Sequence, residues 1–114
     1  MKKRNIILIG MPGAGKSSVG VILAKALGYE FIDTDLVIQH REKRLLREII
    51  ADEGNEGFLA IENEVNATLE ADESVIAPGG SAIYGKEAME HFKEIGTIVY
   101  LKLSYEDLAK RLGN

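Results

Sequence analysis

Residues 5–9 (NIILI) are a short, unbroken apolar run with charge before it and glycine after it. Such a run predicts a strand buried on both faces. Three further strands are read at 29–33 (YEFID), 74–77 (SVIA) and 97–103 (TIVYLKL). Between them the apolar positions recur three or four apart. Val19, Leu23 and Leu27, with Ile22 and Ala26 beside them, predict a helix from Lys16 to Leu27, with Gly28 as its C-terminal cap. Leu36 to about Glu53 predicts one or two helices, broken by Gly54 and Gly57. Phe58, Ile61, Val65 and Leu69 predict another helix, over Phe58–Glu70. Pro78-Gly79-Gly80 stops the third strand. A helix over Lys86–Glu94 is closed by Gly96, with Met89 and Phe92 in the core. Ser104 and Asp107 open a last helix that runs to Leu112.

Strands alternating with helices imply βαβ units, and therefore a parallel sheet with right-handed crossovers. At 114 residues the chain is read as one domain, residues 1–114. The absence of cysteine removes disulfides, thiolate metal sites and Cys nucleophiles. A net charge of −4, with no basic run beyond Lys2-Lys3-Arg4, argues against broad nucleic-acid binding. No apolar run approaches the ~18–20 residues of a membrane span. The apolar part of the N-terminus stops at Gly10, too short for a signal peptide, so the expected compartment is the cytoplasm. His40 and His91 are read as surface residues, and Tyr84 as a candidate lining residue of an acceptor pocket.

GMPGAGKS, residues 10–17, has the spacing G-x-x-x-x-G-K-[ST] and lies between the first predicted strand and the first predicted helix. Glycines there let the backbone approach a phosphate, and N–H groups at a helix N-terminus attract its charge. Lys16 is expected to reach the β- and γ-phosphates and the Ser17 hydroxyl to ligate Mg²⁺. There is no N-K-x-D segment of the kind that reads guanine, and no strand-ending Walker-B carboxylate at 77 or 103. The nearest acidic pair is Asp33-Thr34-Asp35, closing the second strand. If that segment is extended, Asp33 and Asp35 point to one side, across the carboxyl edge of the sheet. Two carboxylates there suit transfer of a phosphoryl group to a hydroxyl. One is associated with Mg²⁺ and the other accepts the alcohol's proton.

With these motifs in place the chain resembles the shikimate kinase family. The likeness runs through GMPGAGKS, FIDTD, EGNEGFLAIE, APGGSAI and IVYLKLSYEDLAKRL, in order. The resemblance implies a three-layer α/β/α P-loop NTPase fold with a parallel sheet, ATP and Mg²⁺ as cofactors, and a small hydroxylated acceptor. It implies that Gly13, Ala14, Gly15, Lys16, Ser17 and Ser18 hold phosphate and metal, with Arg111 near the adenine. Asp33 belongs to the metal site, and Asp35 binds the acceptor and acts as base. Phe58, Glu62, Gly79 and Gly80 line the acceptor site.

Two positions depart from the family pattern: Leu59 stands at the arginine of F-R-x-x-E, and Ser81 at the third glycine of a triplet. Arg41, Arg44 and Arg47 are read as a solvated basic face, with supply of a replacement cation as the alternative. Without such a cation, Glu62 and Glu64 suit a polyol or an amine. The family's lid, fifth edge strand and last helix would follow Asn114, so four strands are expected here. The expected protein is a monomeric ATP-dependent small-molecule kinase with no nucleic-acid or membrane partner. A nucleotide-binding regulatory module without efficient transfer is the alternative.

Overall fold

A computed structural model describes residues 4–10 and 16–101 of the chain. Its element order is β1 (Asn5–Gly10), α1 (Lys16–Leu27), β2 (Glu30–Asp33), α2 (Thr34–Glu42), α3 (Leu46–Ala67), β3 (Ser74–Ala77), a 3₁₀ turn (Gly80–Tyr84), α4 (Lys86–Ile95) and β4 (Gly96–Leu101). All three strand pairings are parallel and the spatial order is β2-β3-β1-β4. The predicted last helix, with Ser104, Asp107 and Arg111, lies outside the described residues.

The unbroken apolar run of β1 is explained by what covers its two faces. Ile7 and Ile9 join Ile76, Ala88, Phe92 and Ile95 in one cluster, whereas Leu8 joins Ala24 and Val75 in another. Topology places the helices that supply these residues. The β1→β2 crossover runs one way along the sheet, and the β3→β4 crossover runs the other. Right-handed connections in opposite directions put α1 and α4 on opposite faces, which gives three layers. A third cluster, Ile38, Ile49 and Val65, joins α2 to α3 beside the sheet.

Asn5 ties the amino ends together. It is 2% exposed, and its Nδ2 donates to the Ala71 and Ile95 carbonyls, each at 2.9 Å. Its Oδ1 accepts from the Ser74 backbone N–H at 3.0 Å. Three segments that open or close strands thus meet on one buried amide, whose hydrogen bonds offset its desolvation.

The local signals mostly hold. Gly28, at φ 72°, closes α1, with Tyr29 N–H on the Ala24 carbonyl at 2.8 Å, in a Schellman motif. Gly54 breaks the helical backbone at φ 75° and ψ 175°, as expected, and α3 resumes beyond it. Gly57 does not break the helix. A Cβ there would lie 2.6 Å from the Glu53 Cβ, so glycine serves close packing beside the kink. α2 begins at Thr34 rather than Leu36, and ends on Lys43 in the left-handed region at φ 56°.

Phe92 has no exposed surface and is among the largest side chains in the core. Phe92→Ala is expected to cost about 3–5 kcal/mol, read from the midpoint of urea denaturation.

Candidate functional site

The site is built at the carboxyl edge of β2 and β3. β2 pairs with β3 through Asp33 and Ala77, so both strands end at the same level. The expectation that Asp33 and Asp35 share a side of one extended segment is corrected by the structure. Asp33 ends the strand and Asp35 already sits in the first turn of α2. Asp33 is the N-cap, and its Oδ1 accepts from the Asp35 backbone N–H at 2.9 Å. The cap satisfies a helix donor and places negative charge at the positive end of α2. It also fixes the turn that carries Asp35.

Asp35 is brought not to Asp33 but to Glu62. A Cβ built on Gly79 would lie 3.1 Å from Asp35 Oδ1 and 3.1 Å from Glu62 Oε2. The two carboxylates therefore close over the Gly79 Cα, where β3 has just ended. Glu62 is 2% exposed on α3 and accepts at Oε1 from the Ser81 hydroxyl at 2.7 Å. Ser81 thus braces the second carboxylate. Gly80 opens the 3₁₀ turn and is exposed. Phe58, half-buried, packs against the Ile38–Ile49–Val65 cluster.

β1 is followed in the chain by α1 on one face of the sheet, and β3 by α4 on the other. β1 and β3 are neighbours, so this is the place where an open α/β sheet forms a crevice. β2 stands two strand spacings from β1, about 10 Å. Gly13, Ala14 and Gly15 lie outside the described residues, as do the side chains of Lys16 and Ser17. The Lys16 backbone opens α1, and Ser18 is exposed in its first turn.

Beside the pair lies a cavity of about 270 Å³, lined by Leu59, Asn63, Ser81, Tyr84, Lys86 and Glu87 among others. Asn63 organises it. Its Oδ1 accepts from the Ala88 backbone N–H at 3.0 Å, capping α4 in place of Gly85, and its Nδ2 donates to Glu87 Oε2 at 2.9 Å. That bond, and one from the Glu87 backbone, hold the Glu87 carboxyl below its usual range, with the Lys86 charge contributing less.

Of the three arginines considered for this region, Arg47 is exposed and the other two pair elsewhere. Arg41 pairs with Glu64 and Glu42, and Arg44 pairs with Glu42, Asp52 and Glu53. Glu64 accordingly turns away from Glu62. His40 is exposed as expected, but His91 is half-buried, with Nε2 2.6 Å from the Leu69 carbonyl. Among the described residues no group of three or more His, Asp or Glu side chains could hold a metal, and no helix is long and apolar enough to cross a membrane.

Sheet, crossovers and crevice are those of the α/β P-loop kinase fold. Residues 12–114 match the family model described as shikimate kinase, and the chain belongs to the shikimate kinase family. It is 38% identical over 109 residues to a shikimate kinase 2 of Yersinia pseudotuberculosis, a match covering 96% of this chain and 63% of that protein. The structure superposes on a shikimate kinase from Acinetobacter baumannii in complex with shikimate, with a TM-score of 0.83 and 36% identity over 98% of this chain and 63% of that one. A shikimate kinase from Aquifex aeolicus gives a TM-score of 0.79 and 35% identity over 90% of this chain and 61% of that one. The chain thus spans less than two thirds of the length of these relatives.

Asn63→Ala is expected to cost about 1 kcal/mol of stability through the lost helix cap. It should also raise the Glu87 carboxyl back toward its ordinary value, seen by NMR titration of the side-chain carbonyl. The sign follows from linkage. A depressed carboxylate stabilises the fold above its unfolded value, and that contribution is lost as pH falls through the depressed folded value.

Proposed function

We propose that this protein is an ATP-dependent phosphotransferase that moves the γ-phosphate of ATP to a hydroxyl of a small acceptor, shikimate or a related hydroxylated compound. The observation that carries this reading is the convergence of Asp35 and Glu62 over Gly79, just past the end of the strand adjacent to the one that leads into GMPGAGKS. Membership of the shikimate kinase family supports it.

In this reading the backbone of residues 13–15 and the Lys16 ammonium cradle the triphosphate, with Ser18 beside them and Arg111 near the adenine. Mg²⁺ supplies charge neutralisation at the phosphates. Ser17 would hold it directly. Asp33 fits a water-mediated contact, because Oδ1 is committed to the helix cap and Oδ2 is left for a polar neighbour. Mg²⁺ commonly keeps several waters and one or two carboxylates, so the small number of acidic groups suits it. Asp35 accepts a hydrogen bond from the acceptor hydroxyl and takes its proton as the oxygen attacks phosphorus. Glu62, braced by Ser81, holds a second hydroxyl, and Gly79 and Gly80 let the acceptor approach the backbone. Phe58 supports this wall from the α2–α3 core. The protein works as a monomeric enzyme of the cytoplasm.

Coupled measurement of ADP release with Mg²⁺-ATP and shikimate tests the proposal. Asp35→Asn should lower acceptor-dependent turnover by about 100-fold or more while ATP still binds. Lys16→Ala should abolish productive ATP binding. ATP binding by the full-length protein with no acceptor-dependent ADP release would replace the proposal with a nucleotide-binding module.

Gly79→Ala is a finer test. Its backbone (φ −62°, ψ 163°) accepts alanine, so the fold should survive with a melting temperature lowered by only a few degrees. The new methyl pushes both carboxylates by a few tenths of an ångström, and turnover should fall about tenfold.

A further inference from the structure

We propose that the Lys86 ammonium is the cation that reads an anionic group of the acceptor, from the cavity that adjoins the Asp35–Glu62 pair. The inference rests on the phosphotransferase reading above and names a specificity residue for it.

The cavity and the carboxylate pair are continuous through one side chain. Ser81 lines the cavity, and its hydroxyl donates to Glu62 at 2.7 Å. At about 270 Å³ it lies below the ~300–1,000 Å³ of pockets that take drug-sized ligands, so it suits a small acceptor. Leu59 and Tyr84, 37% and 76% exposed, offer apolar surface for ring carbons.

The charges around the cavity sort an incoming molecule by its polar ends. Glu87 is anchored by Asn63 and stays ionised, and Glu62 and Asp35 lie just beyond Ser81. These three acids favour hydroxyls and repel a carboxylate. Lys86 is the cation among the described lining residues, and no hydrogen bond or ion pair engages its ammonium among the described residues. Arg41 and Arg44, two of the arginines that could have supplied such a cation, are engaged by acids on α2 and α3. Lys86 is also the first residue of α4, where the aligned peptide dipoles add positive potential. A hydroxy acid is thereby oriented in one way only. Its hydroxyls turn to the carboxylate pair and its anionic group to Lys86.

The test uses the full-length protein and two acceptors, shikimate and its uncharged methyl ester, with KM measured for each. The wild type should favour the acid over the ester by about tenfold in KM, the scale of one charge-assisted hydrogen bond. Lys86→Met, which keeps the aliphatic stem, should erase that preference by raising KM for the acid. Lys86→Arg should keep it. A wild type that prefers the ester, or a Lys86→Met protein that still prefers the acid tenfold, would overturn the inference while leaving the phosphotransferase reading standing. A wild type that binds ATP but turns over neither acceptor would overturn both. Thermal melts of each variant confirm that the fold is retained.

Discussion

The arrangement depends on the missing side chain at Gly79. Three elements meet there: the end of β3, the first turn of α2 and the middle of α3. Two carboxylates approach one backbone carbon more closely than they could if a Cβ stood between them. Each is held by its own brace. Asp33 fixes the turn that carries Asp35, and Ser81 holds Glu62. Groups positioned in this way need little reorganisation when a substrate arrives, which is the main source of electrostatic advantage in an active site.

The position of that point in the sheet follows from handedness. β3 is the short central strand, buried at all four positions, with β2 on one side and β1 on the other. Because crossovers to the left and to the right lie on opposite faces, the helices that follow β1 and β3, α1 and α4, lie on opposite sides of the sheet. The glycine-rich signature follows β1 and the Gly79–Gly80 pair follows β3. The crevice between these two segments of sequence is thus a consequence of strand order, and residue chemistry only furnishes it.

The four strands and the limits of α1 and α4 were legible because their signals are local. Apolar runs, a cap glycine and the G-x-x-x-x-G-K-S spacing each lie within a few residues. Asp33 and Asp35 were found by the same local reading but given the wrong geometry. An N-capping aspartate starts a helix at once, so the extended spacing that seemed to align the pair does not exist. Gly57 looked like a breaker, but only Gly54 takes a positive φ. The Glu62–Ser81 bond, the capping of α4 by Asn63 and the place of Lys86 were not legible. They join residues 19 to 25 positions apart, and nothing in spacing or composition reports such contacts.

α3 shows how one helix serves two neighbours. Phe58, Ile61 and Val65 recur at helical spacing and pack toward α2 with Ile38 and Ile49. Leu59, Glu62 and Asn63 recur at i, i+3 and i+4 on another stripe, so they lie together on one face. That stripe supplies an apolar wall, a braced carboxylate and the amide that starts α4. Its polar members are buried or half-buried, which helices avoid unless each has a partner. Ser81 and the first turn of α4 supply those partners. This wall of the crevice is therefore also the interface that holds α3, the 3₁₀ turn and α4 together, and a change that loosens one loosens the other.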